Sequence, residues 1–366
     1  MNVELEIRWR IGQDAPREVD PLLFRLLHAI EQGASLRSAA IATAASYRHA
    51  WGLLQGWEQS MGTPLVNLER GRGASLSALG RSILWAERRA HSRLAPFLDS
   101  ISAEVEHELA ALVATALPLR LVASHDLALG VLKECMNGLR KPKLNVQYRG
   151  SLDCVRQLVA GQCDLAGFHV PHGPLGAEIE SAYRRLLHPD RFTVLHFAYR
   201  EQGLMLPPGN PRGIAGIEDL ARTRVQFVNR QPDSGTRMLF DCLLKGSALQ
   251  PADIRGYDNE EFTHLAVAAM IASGAADAGF GVEAAAARFG LDFVPLVKER
   301  YLLAMERSSP PPSWLEALTG ALQGDGFRTR MRGIPGYDLA DSGQVVELAG
   351  APRPDAGTRA AGADYA

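Results

Sequence analysis

Three turns in this 366-residue chain share one chemistry. Ser124-His125-Asp126, Gly150-Ser151 and the run from Asn229 to Arg237 each set a hydroxyl where an extended pattern gives way to a helical one. The first turn of a helix carries backbone N–H groups without intrahelical partners and the positive end of the helix dipole, so each turn is a potential anion site. Open α/β sheets hold ligands beyond the carboxyl ends of their strands. Three such turns meeting Arg230 would form a pocket for a small oxyanion, since hydroxyl and N–H donors suit one. The expected ligand contacts are Ser124, His125, Ser151, His169, Arg230, Ser234, Gly235 and Thr236. Any one of the serines alone reads more readily as a plain helix N-cap; the set together points to a pocket. Asp126 and Asp233 stay ambiguous between cap and contact. Arg237, inside its helix, is expected to face solvent. His125, His169 and His264 read as hydrogen-bond donors at the cleft before they read as metal ligands.

Enzymatic motifs are missing from the sequence. It has no GxSxG, Walker A or HExxH pattern. Gly279-Phe280-Gly281 follows a strand but lacks the third glycine of a dinucleotide loop. Cys135, Cys154, Cys163 and Cys242 show neither CxxC nor Cys/His spacing, which excludes a disulfide scaffold and a zinc finger. No enzyme activity, metal or catalytic cofactor is expected.

A second chemistry lies nearer the N-terminus. Residues 35–93 carry eight arginines against three glutamates and no lysine, in a chain of net charge −2 and pI near 6.6. The protein is no bulk polycation, so this local excess is a footprint for phosphate. A solvated helix face is the plainer alternative.

The elements that must position these groups fall into stretches. Residues 4–14 alternate like a strand. Pro21 opens a helical pattern that Gly33 ends. Ser35 and Ser46 stand as N-caps of two further helices, with Ala44 in the turn between them, where a left-handed backbone would cost about 1 kcal/mol. Two short strands about a Gly-Arg-Gly tip follow, completing a winged helix-turn-helix over residues 1–76. Ser46, Tyr47 and Arg48 at the start of the third helix are expected to read DNA in the major groove. Arg37, Arg70 and Arg72 would contact its backbone or minor groove. Trp51 reads as a packing residue. Residues 77–112 form one long helix whose apolar positions suit a copy of itself. Strand–helix alternation over residues 118–347 implies an α/β domain of two lobes, joined by crossing strands near Ala198 and Val297. Residues 350–366 read as a disordered tail. With 46% hydrophobic and 22% charged residues, no apolar leader and no membrane span, a cytoplasmic protein is expected.

The segments EIRWRIG, LLHAIEQGASLRSAA, SYRHAW and ERGRGASLSALG resemble the DNA-binding domain of ModE-type molybdate-responsive regulators, relatives of the LysR-type activators. Ala44 stands where that family has glycine. ASHDLAL, YRGS, CDLAGFHVP, VNRQPDSGTR and HLAVAAMIASGAADAGFGVEAAA resemble a periplasmic-binding-protein-like domain related to molybdate- and tungstate-binding proteins. There, Asp233 stands where glycine commonly precedes Ser-Gly-Thr. The small C-terminal molybdate domain of ModE proteins has no counterpart. The resemblance therefore implies an α/β multidomain regulator: a winged helix-turn-helix, a long linker helix and a two-lobed type II binding-protein-like sensor. Its partners would be an operator in double-stranded DNA, a second copy of the chain as homodimer or tetramer, and an effector such as molybdate, tungstate or molybdenum cofactor. The alternative is a carrier of molybdate or molybdenum cofactor, or a cofactor-handling enzyme.

Overall fold

The computed structural model describes residues 3–12, 16–69, 73–113, 117–138, 143–222, 224–232, 234–308 and 312–348. Two compact units emerge, one of residues 4–98 and one of residues 1–3 with 99–366.

In the first unit the expected strand over 4–14 shrinks to a two-residue pair, β1 (Arg10–Ile11) against β2 (Arg17–Glu18). Three helices follow: α1 (Pro21–Glu31), α2 (Leu36–Ala42) and α3 (Tyr47–Met61). Their starts obey local chemistry. Asp20, Ser35 and Ser46 each accept a backbone N–H of the first turn with a side-chain oxygen. Ala44 takes φ +55° in the turn between α2 and α3. An antiparallel ribbon, β3 (Val66–Glu69) and β4 (Gly73–Leu76), comes next. Leu23, Leu26, Leu27, Ile30, Leu54 and Trp57 form the centre of the unit, repeating at helical spacing along α1 and α3. Ser77 caps α4 (Ala78–Leu112), accepting from Gly80 N–H at 3.0 Å. This helix gives its first part to one unit and residues 99–112 to the other.

The second unit alternates as expected through β5 (Leu119–Ala123), α5 (Leu127–Asn137), β6 (Leu144–Tyr148), α6 (Ser151–Val159), β7 (Leu165–Pro171) and α7 (Pro174–Leu186). Next come β8 (Phe192–Leu206), α8 (Ile217–Arg222), β9 (Phe227–Arg230), α9 (Gly235–Gly246), β10 (Glu260–Glu261) and α10 (His264–Ala272). The chain ends with β11 (Ala278–Val282), α11 (Glu283–Arg288), β12 (Asp292–Glu306), α12 (Pro312–Gln323), α13 (Asp325–Met331), β13 (Tyr337–Asp338) and β14 (Val345–Val346). The strands pair in the order β10-β9-β11-β8-β12-β7-β5-β6, with β13 and β14 also on β8. One lobe holds the parallel set β6-β5-β7 and the other the parallel set β10-β9-β11. Between them run the two 15-residue antiparallel strands β8 and β12, which contain Ala198 and Val297. The sheet is therefore mixed, with two strands long enough to serve both lobes. DFVPLV and YLLAM belong to one strand, β12, with register shifts at Pro295/Val297 and Tyr301/Leu302. Strands β5, β7 and β11 are buried almost throughout, as parallel strands covered by helices on both faces must be.

The far half of α4 has a definite place in this unit. Strand β6 ends the sheet and would expose its backbone edge. Ser100 Oγ accepts from Tyr148 N–H at 3.0 Å, and Ala103 O accepts from Asn145 Nδ2 at 2.7 Å. The helix thus covers the edge.

Candidate functional site

The carboxyl ends of β5, β6, β9 and β10 lead into Ser124-His125, Gly150-Ser151, Arg230 and Thr263-His264. Ser124 Oγ lies 3.0 Å from Ser151 Oγ and 2.9 Å from Nδ1 of His169, and Ser151 Oγ lies 3.4 Å from the same nitrogen. His169 stacks on Tyr301 with ring centroids 4.1 Å apart. Tyr301 Oη donates to Ser124 O at 2.9 Å, which fixes the turn. Gly167 makes this possible, because a Cβ there would sit 2.7 Å from the Tyr301 hydroxyl. From the other lobe, a Cβ on Gly235 would lie 4.0 Å from Ser151 Oγ. The starts of α6 and α9 therefore face each other across a narrow gap.

The serines differ in their duties. Ser151 makes no side-chain cap, since Gly150 holds the N-cap position of α6. Its hydroxyl is left to the cluster, as is that of Ser124. Ser234 is a cap: its Oγ accepts from Arg237 N–H at 3.1 Å and donates to Gln231 O at 3.0 Å. Its hydroxyl is thus committed to the turn, and what α9 offers a ligand is its backbone at Gly235 and Thr236. Asp126 caps α5 through Ala128 N–H and also binds Arg200, so it is a structural residue of the cleft. Arg237 departs from expectation. It is buried at 7% exposure, pairs with Asp241 and Glu260 at 3.2 Å each, and lies 4.0 Å from the Tyr257 ring. A guanidinium on an inward face of a helix can stay buried when it is ringed by such partners. Asp233 lies outside the described residues.

Arg230 sits at the end of β9, only 6% exposed. It donates to Phe262 O at 2.9 Å and Gln231 Oε1 at 3.2 Å, and it pairs with no carboxylate among the described residues. Burial, then the positive charge of Arg200, lower its ionisation to about 9, so it remains a cation at neutral pH. The histidines feel the same field. Burial is the first cause that pushes His125 down to about 4, with Arg230 next. Burial, Arg200 and Arg230 hold His169 well below its usual value. His264 is lowered by burial, Arg230 and Arg200, and also by His125 and His169. All three rings are therefore neutral around a buried cation whose charge Glu261 offsets only in part. Nδ1 of His125, Nε2 of His169 and Nδ1 of His264 are buried without hydrogen-bond partners among the described residues. Among the described residues no group of three or more metal-binding side chains is arranged to hold a metal ion.

Sequence reasoning missed the residues that support this cluster. Arg200, on β8, binds both Asp126 and Glu299 of β12, and all three are almost fully buried. Tyr337 donates to Asp126 at 2.9 Å. Tyr148 packs its ring 5.0 Å from that of His125. The run FAYREQG gave one signal, an arginine in the middle of an otherwise apolar strand pattern.

In the first unit, Arg37, Ser46, Tyr47 and Arg48 are exposed around the starts of α2 and α3. Ser46 Oγ accepts from His49 N–H and is held as a cap. Tyr47 stacks on Trp51 at 6.4 Å, and Trp51 packs against the core. Arg70 and Arg72 lie outside the described residues.

The geometry defines a two-lobed α/β domain, and comparison places it. Residues 132–323 match the family described as PBP superfamily domain, and the chain belongs to that family. An uncharacterized protein of Bacillus subtilis (strain 168), YvgK, is 29% identical over 230 residues, 63% of this chain and 74% of that one. An uncharacterized protein of Clostridium pasteurianum, from the 5′ region of a 2Fe-2S ferredoxin gene, is 34% identical over 110 residues. That match spans 30% of this chain and 97% of the relative, so the two share a family over that stretch. Among solved structures, Corynebacterium glutamicum OxyR (C206 mutant) aligns at TM-score 0.42 and 14% identity, over 85% of this chain and 94% of that one. Full-length BenM aligns at TM-score 0.41 and 12% identity, over 87% and 99%. No helix among the described residues is long and apolar enough to cross a membrane.

Proposed function

We propose that the chain is a transcription regulator whose two-lobed domain senses an oxyanion-bearing effector, with molybdate or tungstate first among the simple ions. The observation that carries the reading is the cleft itself. The charge of buried Arg230 acts on His125 and His169, His169 is hydrogen-bonded to the hydroxyls of Ser124 and Ser151, and the starts of α6 and α9 face each other beside that pair. A buried cation that the neighbouring Glu261 carboxylate offsets only in part is costly to the fold, and a cleft that keeps one is suited to an anion from outside.

The first unit is read as a winged helix-turn-helix, with α3 as the recognition helix and β3–β4 as the wing. Arg48 and Tyr47 stand exposed at the N-terminal end of α3, the end that such domains present to base edges. Leu94, Phe97 and Ile101 of α4 are 44%, 52% and 47% exposed and fall on one stripe, which supports self-association through this helix. Within the second unit, His125 packs on Tyr148, and Tyr148 N–H donates to Ser100 of α4. An effector that shifts His125 thus has a short contact path to the helix.

A thermal-shift panel of molybdate, tungstate, sulfate and phosphate tests the sensor. Stabilisation by at least one oxyanion, lost in Ser124→Ala/Ser151→Ala, is expected. Indifference to all four, together with operator binding unaffected by them, refutes the reading.

A further inference from the structure

The proposal that follows rests on the oxyanion reading of the cleft and concerns the direction of its hydrogen bonds. His169 is buried, and its ring carries a single proton, because burial, Arg200 and Arg230 keep it neutral. Its Nε2 is sealed from solvent with no partner among the described residues. Its Nδ1 faces Ser124 Oγ at 2.9 Å and Ser151 Oγ at 3.4 Å. A proton on Nε2 would be a buried donor with no acceptor, which folded chains tolerate less than a buried lone pair. The proton therefore sits on Nδ1, and Nδ1–H donates to Ser124 Oγ.

That position orients the hydroxyls beyond it. With Ser124 Oγ accepting from the ring, its own O–H is directed to Ser151 Oγ, 3.0 Å away. Burial keeps the Tyr183 phenol protonated, and its hydroxyl also hydrogen-bonds Ser151. Tyrosine is the more acidic hydroxyl of that pair and so the donor. Ser151 Oγ thus accepts from Ser124 and from Tyr183. Its own proton is left for the gap toward α9, where a Cβ on Gly235 would stand 4.0 Å away. The N–H groups at the starts of α6 and α9 are donors as well. With the proton on Nε2 every bond would turn round: Ser124 would donate to Nδ1, Ser151 would donate to Ser124, and a lone pair of Ser151 would face the gap.

We propose that His169 is a positioning residue that makes this part of the cleft present donors only. The cleft then takes an oxyanion that has lost all its protons, such as molybdate, tungstate or sulfate. It rejects one that keeps a proton, such as hydrogen phosphate, whose O–H would find no acceptor.

Sulfate and phosphate make the critical pair. At pH 8 both are tetrahedral dianions of nearly equal size, and only phosphate keeps a proton. Isothermal titration calorimetry of the full chain at pH 8, by displacement of molybdate, is expected to show sulfate binding at least tenfold tighter than phosphate. Nitrogen-15 NMR of the histidines, with His169 identified by the signals lost in His169→Phe, is expected to show Nδ1 protonated and Nε2 bare. In that variant the serine hydroxyls are free to turn, so the preference for sulfate should fall below threefold. A merely structural role would weaken both ions and leave their ratio. Should the variant fail to fold, the preference on the unaltered chain still decides.

A sulfate-to-phosphate preference below tenfold, or both ions too weak to measure, overturns the proposal. So does a proton on Nε2 of His169, or a preference that survives in His169→Phe. In each case the oxyanion cleft itself stands on its binding of molybdate. Binding of none of molybdate, tungstate, sulfate and phosphate removes the cleft reading and the proposal together.

Discussion

Arg230 offers a perturbation in which stability and binding should move in opposite directions. Its ionisation falls from 12.5 to about 9, chiefly through burial and secondly through Arg200. At about 1.4 kcal/mol per tenfold, holding the charged form in the folded cleft costs on the order of 4–5 kcal/mol. Two hydrogen bonds to the guanidinium offset part of that in the comparison with a neutral side chain, at about 1 kcal/mol each. Arg230→Met removes the charge and keeps an unbranched apolar stem. Phe262 O, which loses its donor, lies in a part-buried contact, and that loss is counted among the two hydrogen bonds. The net expectation is a variant more stable by about 2 kcal/mol, or about 4–8 °C in Tm for a domain of this size.

The sign can be checked through pH. A cation whose folded value is lowered destabilises the fold throughout the range below about 9, and the penalty fades as pH rises from there toward 12.5. Unaltered protein should therefore gain on the variant between pH 8 and pH 10.5. Binding should move the other way. Loss of one partner of a buried charge pair costs roughly 2–5 kcal/mol, so molybdate affinity should fall by at least about thirtyfold. Urea unfolding at pH 7.5 and calorimetry with molybdate measure the two sides. A variant less stable than the parent, with molybdate affinity unchanged, would show Arg230 to be a structural arginine and would refute the reasoning.

Four further outcomes are expected. Acid should weaken the fold, because histidines lowered in the folded state contribute stability that is complete above about pH 6.5 and lost as pH falls toward the folded values. With His125 near 4, the loss at pH 5 is about 2 kcal/mol for that ring alone, and a flat urea midpoint between pH 7.5 and 5 contradicts its burial as a neutral group. Arg200→Met leaves Asp126 and Glu299 without their shared cation and should cost about 3–5 kcal/mol in urea unfolding; a loss below 1 kcal/mol would mean that the ion triad is well hydrated. Arg48→Ala should weaken operator binding by about 1–3 kcal/mol in a gel-shift titration, and unchanged affinity removes this residue from the recognition surface. Ala44→Gly should stabilise the first unit by up to about 1 kcal/mol, since Ala44 holds φ +55°, and a destabilised variant would deny that strain.

Local chemistry was legible wherever a residue acts on its own neighbours. Ser35 and Ser46 cap the helices that their positions announce, and the left-handed backbone at Ala44 follows from the shortness of the turn it occupies. The turns at Ser124, Ser151 and Ser234 were legible for the same reason. The length of β8 and β12 was not. Strand β12 contains Lys298-Glu299-Arg300, which reads as a loop between two apolar runs. Those charges belong to a strand because partners distant in sequence meet them: Arg200 binds Glu299, and Glu180 binds Arg300 at 2.7 Å. Strand β8 hides its continuation behind Arg200-Glu201-Gln202 in the same way. Hydrophobic periodicity cannot report a charge that is buried by pairing across the sheet.

That blind spot coincides with the part of the cleft that joins the lobes. Arg200 stands on one crossing strand, Glu299 on the other, and Asp126 at the cap of α5, one residue from His125. Tyr337 adds a hydrogen bond to the same carboxylate, and its neighbour Gly336 lies against Glu283 at the start of α11 in the other lobe. Any motion of one lobe against the other must carry this buried triad with it or break it, and breaking it exposes charges that the fold otherwise keeps paired. The turn at Ser124-His125 is thus tied to the crossing strands on one side. Through Tyr148 and Ser100 it is tied to α4 on the other. A ligand that pulls on His125 therefore acts on both at once, which is the arrangement a sensor needs if binding is to be felt outside its own cleft.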